Sequence, residues 1–468
     1  MLIILIFLII SGFFDEKWIS SAAFSNLWNE TEIENFVNSS TTQVLVGNEQ
    51  RSIPELIFVH VLWRHGDRGP MTLYPNDPNK ESMWPNGLGE LTEVNLNGTL
   101  IGMQQLFKVG KSFYERYINR IPPFLSKNYN NREIYIRSTD VNRTITSAMA
   151  VLAGMFRNGI AGKDYPKESN EINWPRGWIP IPVHTVELKH DHIGYPFHQC
   201  KRAELLEKEA FQSNNFRKIT AMHQELLKYL SNMTGYKDLQ LNERFNSILD
   251  TLTIERFHNL KVPEWFTEKV EKEMRFLRAE IRKNRYGNAK YFGSNGRLIR
   301  LRGGALLNAI IDKLRQKWKC LNNDSTECVS YKNIKFYGLS AQYIKLQHDV
   351  TISALFAALR IKSEITDIGD PEYGATVYFE LYKFNNEPYV KVCHLASQLK
   401  SYHKTFIEFL YSKSYLDEPK SVTNLIRECP AMSDLCPLEK FIMGQKDYLP
   451  TNIRKECYQN MQKHFDET

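Results

Sequence analysis

A near-continuous apolar run, Leu56 to Trp63 (LIFVHVLW), breaks without transition into Arg64-His65-Gly66-Asp67-Arg68-Gly69-Pro70. The run is rich in β-branched and aromatic residues and does not alternate. That is the pattern of a strand buried on both faces, as in the parallel sheet of an α/β protein. Charge, glycine and proline straight after it mark a loop at the strand's C-terminal end. In open α/β sheets ligands bind at that end. A chain carrying such a segment is constrained to an α/β fold with a site on the loop.

The rest of the chain supplies matching units. Residues 102–119 read as a helix with Met103, Leu106, Phe107, Phe113 and Tyr117 on one face. Glu133 to Arg137 alternates like a strand and runs into Ser138-Thr139-Asp140, N-cap residue types, then an apolar helix through Met155. From about 200 to 319 the pattern is helical and charged. Strand signals return at Ile334–Leu339, Ala375–Lys383 and Tyr389–His394, with an apolar helix from Val350 to Leu359 directly after His348-Asp349. The expected fold class is α/β: a mostly parallel sheet flanked by helices, with a smaller helical cap domain inserted. The expected divisions are a signal peptide at 1–23, a mobile arm at 24–52, an α/β core at 53–195 and 330–460, and the cap at 196–329.

The signal-peptide reading rests on the apolar stretch Leu2 to Phe14 and the small residues Ser20 to Ala23. The stretch is shorter than the ~20 residues a membrane span needs. No later segment of the sequence is long and apolar enough, so no membrane anchor is expected in the mature chain. Sequons at Asn29, Asn38, Asn97, Asn142, Asn232 and Asn323 and seven cysteines suit the secretory route, ending outside the cell or in the lysosomal lumen. The formal charge of +7 in 468 residues is spread among both signs. There is no basic stripe with interleaved aromatics, so no nucleic-acid partner is expected.

Three strand ends deliver charged residues to loops: Arg64, His65 and Arg68; Arg137; and His348 with Asp349. Arginine's planar fork donates paired N–H groups to phosphate oxygens. Phosphoryl transfer runs through a transition state whose charge is spread over three equatorial oxygens, so catalysis is mainly positioning and electrostatics. A neutral imidazole can attack phosphorus, and neighbouring cations lower its pKa and keep it neutral in mild acid. A carboxylic acid, Asp349, can protonate the leaving oxygen and later activate water. Three guanidinium groups make a metal unnecessary, and no metal-ligand spacing is present, so neither metal nor cofactor is expected.

Each residue also has a structural reading. His348-Asp349 would cap the helix at Val350, Arg137 would pair with Asp140, and Asp67 would orient a neighbouring arginine. His60 reads as a core histidine within the strand, and His190, His192 and His198 as structural loop residues.

Together these segments resemble the histidine acid phosphatase family, a branch of the histidine phosphatases, from about residue 54 to 457. The opening R-H-G-x-R-x-P is met by Arg64, His65, Gly66, Arg68 and Pro70, with Gly69 where the family usually has threonine. Trp84 to Thr92 resembles the segment that follows. Arg137-Ser138-Thr139-Asp140 with Arg143 resembles the second motif and His348-Asp349 the third. The resemblance implies His65 as nucleophile, Arg64, Arg68, Arg137 and His348 as phosphate ligands, and Asp349 as proton donor. It implies an acid phosphatase acting on small phosphomonoesters; a homodimer is the self-association considered. The texture is closest to nematode secreted or lysosomal members. The family also suggests disulfides Cys200–Cys457 and Cys429–Cys436; spacing adds Cys320–Cys328 and leaves Cys393 free.

Two stretches depart from the family pattern: Val94 to Ile101, and Gln342 to Gln347 between Ser340-Ala341 and His348-Asp349. Loops tolerate insertions cheaply, but the second adjoins the dyad. Three alternatives therefore stand beside a broad acid phosphatase. One is a narrower phytase or lysophospholipid phosphatase; another is an impaired member that binds phospholigands without turnover. A cofactor-independent mutase is disfavoured by the signal sequence.

Overall fold

The first strand explains the arrangement of everything around it. In the computed structural model β1 (Glu55–Arg64) is buried at every position after Glu55. Its two faces enter two different cores. Val59, Val61 and Trp63 pack with α1 (Ile101–Phe113) and α2 (Asn142–Met155). Phe58 and Leu62 pack with helices from later in the chain. A strand covered on both sides needs apolar residues at successive positions, which is why the run does not alternate. The structure describes residues 53–92, 101–169, 173–287, 296–341, 350–361, 371–396 and 418–458. The signal-peptide and arm assignments, Asn29, Asn38, Asn97, both departing stretches apart from Ile101, and His348-Asp349 lie outside them.

After α1 and α2, with β2 (Ile134–Ser138) between them, come α3 (Lys201–Phe211), α4 (Asn214–Met222), α5 (Gln224–Thr234), α6 (Glu243–Phe257) and α7 (Glu268–Tyr286). Their apolar faces form a core of their own: Phe216, Leu227, Leu230, Phe245, Leu249, Met274 and Leu277 cluster there with Tyr74. Next are α8 (Gly296–Arg302), α9 (Gly304–Cys320) and α10 (Val329–Asn333), then β3 (Phe336–Ala341) and α11 (Val350–Leu359). Leu306, Leu307, Ile310 and Leu314 of α9 and the buried residues of α11 supply the second cover of the sheet. The chain continues through β4 (Thr376–Phe384), β5 (Glu387–Leu395), β6 (Lys420–Ser421), β7 (Cys436–Pro437), α12 (Leu438–Gln445) and α13 (Ile453–Tyr458).

The strand order is β2-β3-β1-β4-β5-β6, with β7 on β5. The fold is α/β as expected, but the sheet is mixed rather than mostly parallel. β2, β3 and β1 are parallel neighbours, whereas β4 runs antiparallel to β1 and β5 antiparallel to β4. The reason is a hairpin. Asn385 and Asn386 both take positive φ, 49° and 61°, between Phe384 and its partner Glu387. Two consecutive left-handed residues close a two-residue turn matched to the strand twist. The Asn-Asn pair was the signal that β4 and β5 could not be parallel.

Three disulfides join Cys200 to Cys457, Cys320 to Cys328 and Cys429 to Cys436, the pairs suggested by resemblance and spacing; Cys393 is buried and free. The first packs with α3, α8 and α13. Among the described residues no helix is long and apolar enough to cross a membrane. Asn142 and Asn232 are exposed and Asn323 partly so. His60 is 2% exposed, stacked on Tyr337, and its pKa is lowered to about 3 by burial and Lys313.

Candidate active site

The parallel register brings the first two motifs side by side. Arg64, last in β1, pairs with Ala341, and Arg137 of β2 lies opposite Leu339 on β3. All three strands therefore end together, with α11 starting at Val350.

The loop after β1 is held by backbone approach. A Cβ on Gly66 would stand 2.1 Å from the Gly102 carbonyl oxygen, and one on Gly102 would stand 2.5 Å from that of Asp67. Only glycine at both positions lets the loop seat on the first turn of α1. Gln105 completes the seat by accepting from the Asp67 N–H at 2.7 Å.

His65 is fully buried. Its Nδ1 lies 2.5 Å from the Gly66 carbonyl, which fixes Nδ1–H as the donor. Nε2 is then the unprotonated nitrogen, and it has no hydrogen-bond partner among the described residues. Burial, then Arg64, Arg143 and Arg68, push its pKa well below the ordinary imidazole value. This is an imidazole kept neutral in acid.

Three buried arginines, Arg64, Arg68 and Arg143, act on it, and a fourth, Arg137, is buried at the end of β2. Arg64 donates to the Pro371 carbonyl at 2.7 Å, and its guanidinium lies 4.1 Å over the Tyr373 ring. Arg68 donates to Gly69 O and pairs with Asp250 at 3.0 Å. Arg137 pairs with Asp191. Arg143 donates to Gly89 O at 3.2 Å, and burial and Arg68 press its pKa down. Like charges crowded in a desolvated place are costly without an anion between them. The arrangement is suited to receiving one.

Several sequence expectations are corrected here. Asp67 does not orient an arginine: its Oδ2 accepts from Thr92 Oγ1 at 2.5 Å and meets His258 Nε2 at 2.8 Å. Arg137 turns to Asp191 rather than to Asp140, which is exposed. The N-cap of α2 is Val141, without a side-chain bond, while Thr139 and Thr144 bond one another at 3.0 Å. Of the expected site residues, Arg64 and Arg68 lie beside His65, and Arg137 lies at the end of β2, two strands from β1 in the same sheet. Asp191, Asp250 and His258 were missed because no local pattern marks them; each reaches the site from a distant segment. Arg143 carried a signal, its place in the second motif, where it is the second residue of α2. Among the described residues, His198, Cys200 and Cys457 come within metal-ligand distance of one another, but both sulfurs are bound in a disulfide.

Comparison with known proteins agrees with this geometry. The profile of the histidine phosphatase superfamily (branch 2) matches residues 55–394. The chain is 32% identical over 405 residues to human prostatic acid phosphatase, covering 86% of this chain and 88% of that protein. It is 29% identical over 437 residues to rat lysosomal acid phosphatase, covering 92% and 86%. Among solved structures, a Hafnia alvei phytase complexed with myo-inositol hexakis sulphate superposes with a TM-score of 0.57 at 15% identity, over 86% of this chain and 98% of that one; it shares the fold. With the R-H-G-x-R-x-P loop seated at the end of a buried strand and the profile spanning most of its length, the chain belongs to the histidine phosphatase superfamily, branch 2.

Proposed function

We propose that this chain is an acid phosphatase, a phosphoric monoester hydrolase, that transfers phosphate through His65. The observation that carries the reading is the buried His65 imidazole, with Nδ1 committed to Gly66 O and burial and three arginines keeping it neutral in acid. Nε2 attacks phosphorus and the ester P–O bond breaks. The leaving oxygen takes the proton of the Asp349 carboxylic acid. Asp349, now a carboxylate, removes a proton from water, which attacks the phosphohistidine and releases phosphate and neutral His65. Arg64, Arg68, Arg137 and His348 hold the phosphoryl oxygens, and Arg143 joins them as a fourth cation. The residues themselves supply the charge stabilisation this chemistry needs.

Relatives named prostatic and lysosomal acid phosphatases support the activity on phosphomonoesters. With three disulfides they also support a secreted or lysosomal location. The homodimer considered from the sequence stays a proposal, read by sedimentation of the secreted chain. The activity is tested by p-nitrophenyl phosphate hydrolysis in acid and neutral buffers with a chelator present, beside His65→Ala. Acid-favoured turnover that survives the chelator and vanishes in the variant is the expected result. A folded wild type with no turnover would favour the ligand-binding alternative.

A further inference from the structure

The turn Asp191–Gly194 sits where two parts of the site meet. β2 is an edge strand, and the segment at His184 closes that edge. The Ser138 N–H donates to His184 O at 2.8 Å, and the His184 N–H to Ile136 O at 3.0 Å. The chain then runs to Asp191, which is 1% exposed and ion-paired with Arg137. The same Asp191 Oδ1 accepts from the N–H groups of Ile193 at 3.2 Å and Gly194 at 2.7 Å. The Gly194 carbonyl in turn accepts from Thr351 Oγ1 at 2.9 Å, in the first turn of α11. No side chain fits at Gly194. A Cβ there would lie 2.5 Å from Asp191 Oδ2 and 2.8 Å from Thr139 Cγ2.

One carboxylate thus fixes a guanidinium and a turn, and the turn is tied to the helix that follows His348-Asp349. We propose that Asp191 is the positioning residue for Arg137, holding its guanidinium in the frame of a turn that Thr351 anchors to the first turn of α11. The proposal rests on the reading of Arg137 as a phosphate ligand. Asp191 acts through Arg137: it holds one guanidinium nitrogen and leaves the buried Nε without a hydrogen-bond partner among the described residues.

The test is a double-mutant cycle on the full secreted chain, reading kcat/KM for p-nitrophenyl phosphate and inhibition by inorganic phosphate. Asp191→Asn keeps the shape and removes the charge. Asp191→Glu keeps the charge and displaces the guanidinium by about 1 Å, a misplacement that can cost about 100-fold. Each is expected to lower kcat/KM by about 10- to 100-fold and to weaken phosphate inhibition in parallel. In an Arg137→Ala background the same change is expected to cost less than about threefold, because coupled residues do not lose activity additively. Should Asp191→Asn fail to fold, Asp191→Glu carries the cycle. Additive losses, or an Asp191 variant with undiminished kcat/KM, overturn the positioning role while leaving Arg137 a phosphate ligand. A harmless Arg137→Ala overturns the phosphate-pocket reading, and the proposal with it.

Discussion

At the scale of single residues, the site is a balance between burying charge and keeping one imidazole uncharged. Arg64, Arg68 and Arg143 each act on His65 in the same direction as burial. Protonation of His65 would remove the nucleophile, and its pKa lies well below 6.5. The account predicts that kcat/KM shows no loss on the acid side as pH falls through 6.5, with the acid limb lying well below. Replacing Arg143 by leucine takes away one lowering influence, so the acid limb moves upward. A pH profile of kcat/KM for the two proteins measures both. A limb that stays in place in Arg143→Leu would show that Arg143 does not contribute to this pKa.

At the scale of elements, α6 does more than fill the core that it shares with neighbouring helices. Asp250 near its middle holds Arg68, and His258 just past its end holds Asp67. An ion pair and a hydrogen bond thus fasten the loop after β1 to a helix nearly 200 residues away in sequence. Removing the acid from such a pair strands a buried charge. Asp250→Ala is predicted to lower unfolding free energy by about 3–5 kcal/mol, read from urea denaturation. The same helix carries Glu255, fully buried and pushed up to about 8 by burial and then by Asp77. Between the ordinary value of 4.5 and about 8 the folded state holds a proton that the unfolded chain has lost. Stability from this pair is therefore fully present below 4.5 and is lost as pH rises toward 8. Glu255→Gln should flatten that decline in thermal unfolding measured across the window; an unchanged slope would contradict a proton held on Glu255. None of this was legible in sequence. Asp250, Glu255 and His258 sit in an ordinary charged helix pattern, and only tertiary packing brings them to Arg68, Asp77 and Asp67. Arg64, His65 and Arg68 stood out because they follow a strand whose burial is written in consecutive apolar residues, and Arg137 because it ends an alternating strand that runs into N-cap residue types.

At the scale of the whole molecule, two devices hold distant parts of the chain together. One is the sheet, in which β1 joins β3 and β4 across about 270 to 330 residues of sequence. The other is the Cys200–Cys457 bond, closing a separation of 257 residues. Opening a loop of that length is predicted to cost about 2–5 kcal/mol, so a Cys200→Ser, Cys457→Ser double variant should melt earlier while keeping its acid activity. The α/β class was readable from the alternation of strand and helix patterns. The direction of β4 and β5 is written in the two-residue Asn385-Asn386 turn rather than in the strands themselves, which is why the strand patterns alone suggested a mostly parallel sheet. Turnover depends on one atom, Nε2 of His65. That dependence is tested by rapidly quenching turnover of a radiolabelled phosphomonoester under alkaline conditions, where a phosphorus–nitrogen bond survives, and mapping the labelled peptide. The account predicts acid-labile label on the peptide containing His65 in the wild type and none in His65→Ala, which should also lose at least about 1000-fold in kcat. Turnover without such label, or activity retained by His65→Ala, would contradict it.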